Sequence, residues 1–183
     1  MVNIYKLKLT VLQQEILRFL FIKAGKTFNA RQIALTLEVS QPAIGKALPL
    51  LEKEGFAIVK KEAGRFSIEL NRDKPEVLGL KRADNLKQLY ETGLVQFLYD
   101  QFPGACIILF GSYALGEDTL TSDIDLAVIG IKEKQLELAE FEKLLERDIR
   151  INYYPSLRVI DKPLLHNLLN GIVLKGTIDY ENL

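Results

Sequence analysis

Two strand-like runs in the second half of this 183-residue chain constrain its fold more than any other feature. Residues 106–110 (CIILF) are apolar at every position, which is typical of a strand covered on both faces by helices. Residues 123–129 (DIDLAVI) place Asp123 and Asp125 two positions apart. Because side chains alternate along a strand, both carboxylates would point to one face while Ile124 turns to the core. The pattern predicts an α/β (α+β) domain with a pair of carboxylates on one strand of its sheet.

The residues around these runs indicate phosphate chemistry. Two carboxylates this close repel each other unless a cation lies between them, and a hard divalent cation such as Mg²⁺ (or Mn²⁺) would meet that need. Gly111 and Ser112 directly follow the first run, where glycine allows a close backbone approach to a phosphate and serine supplies a hydroxyl. Glu117 and Asp118 in the next loop either touch substrate or are solvated. A phosphate cradle beside a metal site predicts phosphoryl or nucleotidyl transfer, whereas a solvated aspartate pair is the alternative.

The first third of the chain predicts three helices followed by a hairpin. Thr10, Asn29 and Ser40 are suitable N-caps because their side-chain oxygens can accept hydrogen bonds from the first helical amides. The helices would cover residues 11–24, 30–37 and 41–54, and strand-like runs at 56–60 and 66–70 would form the hairpin.

This order of elements resembles the winged helix-turn-helix family. The residues that carry the resemblance are Ile33, Ala34, Val39, Ser40, Ala43, Ile44, Leu48, Leu51, Gly55 and Phe56. The resemblance implies a recognition helix that enters the major groove of duplex DNA and a wing that meets phosphates. The same fold also serves as a dimerisation or protein-docking module, and that alternative stays open.

Charge supports the DNA-binding interpretation. Residues 1–72 contain twelve Lys and Arg against six Glu, so in this chain of zero net charge the first module is basic and the remainder acidic. By the resemblance, the residues on or near the start of the recognition helix are Gln41, Ala43, Lys46 and Ala47, and those on the wing are Lys60, Lys61 and Arg65.

A polar segment ending in proline, residues 71–75 (NRDKP), predicts the boundary between two modules. We therefore expect a winged helix-turn-helix domain over 1–72, a linker over 73–82 and a second domain over 83–183. Within the second domain, periodicity predicts helices over 83–101 and 133–145.

The second domain resembles the DNA polymerase beta-like nucleotidyltransferase superfamily, and within it the minimal nucleotidyltransferase branch. The resemblance covers about residues 80–176 and is carried by Gly111-Ser112, Gly116 and Ser122-Asp123-Ile124-Asp125-Leu126. It implies that Gly111 and Ser112 hold the triphosphate of a nucleotide such as ATP, and that Asp123 and Asp125 bind the metal. It also implies a mixed sheet with helices, and transfer of a nucleoside monophosphate to an acceptor hydroxyl.

The chain departs from that family at the third carboxylate, which the family carries on a later strand. In the predicted strand 148–154 (DIRINYY) the corresponding position is Asn152, whose carbonyl can bind a metal but cannot act as a general base. Arg150 and Asp148 precede it on the same face, and Asp148 would serve only if the strand began earlier. Two classes of function therefore stay open. One is a nucleotidyltransferase, and the other is a DNA-binding transcriptional regulator or toxin–antitoxin component whose transferase domain is degenerate.

Composition limits the setting in which the protein works. Apolar residues make up 48% and charged residues 26%, which excludes a disordered or collagen-like chain. A single cysteine cannot form an intramolecular disulfide, and no run of about 18 apolar residues or signal-peptide pattern occurs. We expect a cytoplasmic protein without a membrane partner. A homodimer and a small helical protein partner are further alternatives.

Overall fold

The computed structural model describes residues 8–62 and 65–178 and divides the chain into two compact units, Met1–Val77 and Leu78–Leu183. The described part contains no helix with the length and apolarity needed to cross a membrane. In each unit the buried apolar side chains form a core of their own, so the two are described separately.

The described residues of the first unit form three helices and an antiparallel hairpin. Thr10, Asn29 and Ser40 cap the helices as predicted; the Thr10 hydroxyl, for example, accepts a hydrogen bond from the Gln13 amide at 3.3 Å. The elements are α1 (Val11–Ile22), α2 (Ala30–Thr36), α3 (Gln41–Lys53), β1 (Ala57–Glu62) and β2 (Arg65–Leu70).

A short backbone bridge adds a third extended segment to the hairpin. Phe28 and Ile68 exchange two backbone hydrogen bonds of 2.8 Å, on the side of β2 away from β1. The core beneath is built from Ile16, Leu20, Ile33, Ile44, Leu51 and Ile68, all at most 1% exposed.

The prediction that Ala47 of α3 lies where the helix would enter a DNA groove is wrong. Ala47 is buried, because it follows Ile44 by three positions and so lies on the same face of the helix as that core residue. Its carbonyl accepts a hydrogen bond from the Gln13 side chain at 3.2 Å. Ala47 therefore packs inside the first unit and is not available to enter a DNA groove.

The second unit begins within a helix that starts earlier than predicted. Proline is tolerated in the first turn of a helix, and α4 starts at Pro75, inside the segment 73–82 assigned to the linker. The elements that follow are α5 (Leu94–Gln101), β3 (Cys106–Phe110), α6 (Gly111–Leu115), β4 (Ile124–Ile129), α7 (Ala139–Leu145), β5 (Ile149–Tyr154), a 3₁₀ turn (Leu157–Val159), α8 (Lys162–Leu169) and β6 (Ile172–Lys175); α4 itself ends at Glu91.

Two predicted helices differ from those observed. The single helix expected over 83–101 is broken at Gly93, whose φ of +79° is left-handed, and this separates α4 from α5. The helix expected over 133–145 covers only α7. Leu136 and Leu138 both pack against the core, and a helix would point side chains two positions apart in different directions.

The strands form a mixed sheet in the order β5-β4-β3-β6, which confirms the predicted mixed α/β fold. Strand β3 pairs antiparallel with β4 and β6, while β4 and β5 are parallel. Leu109 and Leu126 contribute to a core shared with α4, α5 and α7, whereas Phe110 and Ala127 contribute to one shared with the 3₁₀ turn and α8. Alternate residues of each strand thus serve opposite faces of the sheet.

Gly116 ends α6 in a conformation and a space that only glycine can occupy. Its φ is +75°, and a Cβ atom there would lie 2.3 Å from the Leu78 carbonyl oxygen. We expect Gly116→Ala to lower the free energy of unfolding by about 1–3 kcal/mol, measured by chemical denaturation. Gly79→Ala is the control, because Gly79 is exposed on α4 and has open space around it. The free energy of unfolding of this variant should rise by about 0.5–1 kcal/mol. Equal stability of the two variants would contradict the prediction.

Candidate functional site

The two aspartates lie at the start of β4, on the face of the sheet that packs against α8. Ile124 and Leu126 are completely buried in the opposite core, as predicted, while Asp123 and Asp125 are half-buried. In the register of the sheet, Asp125 is the partner of Phe110 on β3 and of Arg150 on β5. The carboxylate pair is therefore bordered on one side by the turn that follows β3 and on the other by an arginine.

Gly111 brings the backbone after β3 close to the side chain of Asp125. Its φ is +73°, and a Cβ atom built on it would lie 2.8 Å from Oδ2 of Asp125. Any side chain here would displace that carboxylate, so the absence of a side chain is what allows the approach. Ser112, the next residue in α6, is half-buried. The predicted phosphate-binding residues and the predicted metal ligands are thus adjacent.

Arg150 forms an ion pair with the first aspartate. Its Nη2 atom lies 2.9 Å from Oδ2 of Asp123, and the arginine side chain is 68% exposed against 23% for the aspartate. Asn152, expected at the third-carboxylate position, pairs instead with Ala127 and donates from its side-chain amide to the Leu126 carbonyl at 3.4 Å. The β5 residue beside Asp125 is therefore an arginine.

The environment of Asp125 disfavours its charge. Partial burial raises the pKa of this carboxyl group, the negative charge of Asp123 raises it further, and the positive charge of Arg150 opposes both effects. A carboxylate in this state gains from a cation. Arg150 supplies part of that compensation, and a bound metal ion would supply more.

The donors present fit a single hard cation. Mg²⁺ binds through one or two carboxylates together with the phosphates of a substrate, so the oxygens of Asp123 and Asp125 suffice. Asp148 lies just before β5, where its backbone carbonyl accepts a hydrogen bond from Ile124 at 2.8 Å. Asp148 and Asp123 both line a cavity of about 360 Å³. Within residues 8–62 and 65–178, however, no three His, Cys, Asp or Glu side chains are grouped closely enough to hold a metal.

A second cavity opens directly onto the glycine–serine turn. Its volume is about 470 Å³, which is within the range of small-molecule sites. The residues at its wall include Arg82, Gly111, Ser112, Glu117, His166 and Asn170. Polar groups from α4, α6 and α8 therefore surround the space next to the predicted phosphate-binding turn.

A buried ionic cluster holds the loop between Gly116 and Asp123, and the sequence did not reveal it. Asp118, expected to be solvated or to touch substrate, is 0% exposed. Its carboxylate accepts hydrogen bonds from Lys81, from Asn85 at 2.7 Å and from Arg147 at 3.3 Å. The only signal in the sequence is the spacing of Lys81 and Asn85, which puts both on one helical face.

The predicted DNA-binding residues occupy α3 and the hairpin. Gln41 and Lys46 are exposed on α3, and Ala43 is half-buried. Both lysines of β1 are exposed: Lys60 lies 3.9 Å from Glu69, and Lys61 lies over the Phe66 ring at 5.9 Å. Arg65 begins β2, and its side chain is outside the described part.

Comparison with known proteins supports the second unit's resemblance. Residues 92–168 match the family model described as a nucleotidyltransferase domain. This segment includes the glycine–serine turn, both aspartates and Arg150, so this part of the chain is similar to nucleotidyltransferase domains. The first unit lies outside the match. No significant match was found to a curated protein or to a solved structure.

Removing the Asp118 carboxylate should destabilise the second unit. Asp118→Ala would leave the charges of Lys81 and Arg147 buried without their shared anion, and the expected loss in the free energy of unfolding is about 3–5 kcal/mol. The measurement is urea denaturation followed by circular dichroism. Glu137→Ala, at an exposed position of the same unit, is the control and should change stability by less than about 0.5 kcal/mol. A loss for Asp118→Ala as small as the control's would show that the cluster contributes no net stability.

Proposed function

We propose that the second unit binds a nucleoside triphosphate with Mg²⁺ (or Mn²⁺) and transfers a nucleoside monophosphate to an acceptor hydroxyl. The nucleotidyltransferase match over residues 92–168 is the premise. The observation that carries the proposal is the contact between Gly111 and Asp125. It puts the backbone suited to a phosphate against the carboxylates suited to a metal.

Each residue of the site has a role in this proposal. Gly111 lets the triphosphate approach the backbone, and the Ser112 hydroxyl donates a hydrogen bond to a phosphate oxygen. Asp123 and Asp125 would hold the metal ion, which when bound neutralises charge on the phosphates. The acceptor oxygen forms a bond to the α-phosphorus, the bond from that phosphorus to its bridging oxygen breaks, and pyrophosphate leaves.

The acceptor proton has no dedicated carboxylate to receive it. The described residues provide no third acidic group in the metal cluster, and Asn152 cannot accept a proton at neutral pH. We therefore propose that the proton leaves to solvent. A positioned base contributes about 10²–10⁴-fold in rate, so turnover is expected to be slow by that factor.

For the first unit we propose a winged helix-turn-helix that binds duplex DNA. Four residues separate α2 from α3 and a hairpin follows α3, an order that resembles that family, while Phe28, which precedes α2, bridges to β2. Gln41, Ala43 and Lys46 would read bases, while Lys60 and Lys61, with Arg65, would contact phosphates. The charge excess in residues 1–72 supports this assignment.

One observation favours a second candidate function. The ion pair of Arg150 with Asp123 occupies an oxygen that a metal would need. If this ion pair does not break, the transferase domain is inactive. The second candidate is therefore a DNA-binding transcriptional regulator, or a toxin–antitoxin component with a small helical partner. Transfer of label separates the two candidates. With α-labelled ATP, Mg²⁺ and cell extract, the proposal expects covalent label that is absent with Asp125→Asn, and no transfer by either protein favours the regulator.

Neutralising either aspartate should weaken nucleotide binding. Asp123→Asn and Asp125→Asn keep the side-chain shape but remove one negative charge from the metal site, so Mg²⁺-dependent affinity for ATP should fall at least about tenfold, or 1.4 kcal/mol. Isothermal titration calorimetry with and without Mg²⁺ measures this. Asp100→Asn, an exposed carboxylate on α5, is the matched control and should bind as the wild type does. Unchanged affinity in both site variants would exclude the proposed metal site.

Removing the two hairpin lysines should reduce the salt dependence of DNA binding. Each phosphate contact contributes about 0.9 to the slope of log affinity against log salt concentration. Replacing Lys60 and Lys61 with alanine should therefore flatten the slope by about 1–2, the lower figure applying if Glu69 already neutralises Lys60. Fluorescence anisotropy with labelled duplex DNA gives the slope. Lys132→Ala with Lys143→Ala removes the same charge from the second unit and should leave it unchanged. Wild-type protein that shows no salt-dependent binding would contradict the DNA-binding proposal.

A further inference from the structure

We propose that Arg150 exchanges partners on nucleotide binding: it neutralises Asp123 in the empty site and binds a phosphate oxygen of the triphosphate when the metal takes that aspartate. This inference rests on the proposed function and deepens it. It makes Arg150 a substrate-binding residue that selects polyphosphates.

The position of Arg150 is set by the sheet. Parallel pairing puts its Cα atom directly beside that of Asp125, and neighbouring strands lie about 4.8 Å apart. The side chain then reaches back toward the strand start, where Nη2 lies 2.9 Å from Oδ2 of Asp123. The guanidinium is therefore held next to both predicted metal ligands by the backbone of β5.

The contact is suited to exchange. With 68% of the Arg150 side chain exposed, the ion pair lies at the solvent side of the site, and exposed ion pairs contribute little to stability. The guanidinium can therefore leave Asp123 through rotation of its own side chain while β5 remains paired. Arginine also presents two parallel N–H donors that match phosphate geometry, so a nearby triphosphate offers it a stronger partner than the single carboxylate of Asp123.

The charge of the site favours the exchange only for a polyphosphate. The two carboxylates and Arg150 together carry a single net negative charge, so Arg150 opposes binding of a metal ion alone. When metal and triphosphate enter together, the metal neutralises the carboxylates and Arg150 is free to neutralise phosphate oxygens. A nucleoside monophosphate, which brings fewer charged oxygens, gains less from Arg150.

The proposal predicts opposite effects of one substitution on two ligands. In Arg150→Gln, the affinity for Mn²⁺ without nucleotide should rise about three- to tenfold, measured by electron paramagnetic resonance. The affinity for a non-hydrolysable ATP analogue with Mg²⁺ should fall about tenfold or more by calorimetry, and affinity for AMP should change less than threefold. Arg150→Lys, which keeps the charge but loses the paired donors, should restore Mn²⁺ affinity to the wild-type value and recover only part of the ATP-analogue affinity. Arg158→Gln, at an exposed arginine of the 3₁₀ turn, is the control and should change none of these affinities.

The outcomes separate failure of this inference from failure of the proposed function. Tighter Mn²⁺ binding with unchanged ATP-analogue binding would show that Arg150 only blocks the metal, and weaker binding of both would show that it positions the carboxylates. Either result overturns the exchange while the nucleotide site stands. If wild-type protein binds the ATP analogue in neither the presence nor the absence of Mg²⁺, the proposed function fails, and this inference fails with it.

Discussion

The geometry of the candidate site depends on one steric condition, the absence of a side chain at Gly111. The backbone at the end of β3 approaches Oδ2 of Asp125 so closely that a Cβ atom would lie 2.8 Å from it. Since Phe110 and Asp125 are cross-strand partners, the condition is built into the register of β3 and β4. The predicted phosphate-binding turn and Asp125 are thereby brought into contact by the pairing of β3 with β4.

Buried contacts hold the loop that joins α6 to β4. Gly116 ends α6 against the Leu78 carbonyl, and two residues later Asp118 enters the interior to meet Lys81 and Arg147. A buried ion pair is costly to form but more costly to break by removing one partner. The contacts therefore restrict the loop to one path between Gly116 and Asp123, and so define where the first aspartate emerges.

Periodicity and N-capping residues predicted the helices of the first unit, because both signals depend on residues that are close together in the sequence. The N-caps Thr10, Asn29 and Ser40 act through bonds within three residues, so they can be identified from the sequence. The helix expected over 133–145 was wrong because Leu136 and Leu138 are held by distant core residues, which no local pattern encodes. Likewise the break at Gly93 is a backbone conformation that periodicity does not detect.

The sequence indicates the residues of the candidate site but not their cross-strand pairing. Asp123 and Asp125 are two positions apart in the sequence, and their common face follows from strand alternation. The residue opposite them depends on the β4–β5 register, and a shift of two positions decides between Asn152 and Arg150. An alternating strand with polar residues at both positions leaves that choice to tertiary packing.

The identity of the β5 residue beside Asp125 determines the charge of the candidate site. A third carboxylate would add negative charge and help to hold a second cation between attacking and leaving oxygens. Arg150 instead provides a permanent positive charge in the same area, which needs no ligand. On the proposed function, one metal ion held by Asp123 and Asp125 would then act together with the Arg150 guanidinium on the same phosphates. Such a site has a group that neutralises phosphate charge where a proton acceptor would otherwise lie. It is therefore better suited to binding a triphosphate than to rapid turnover.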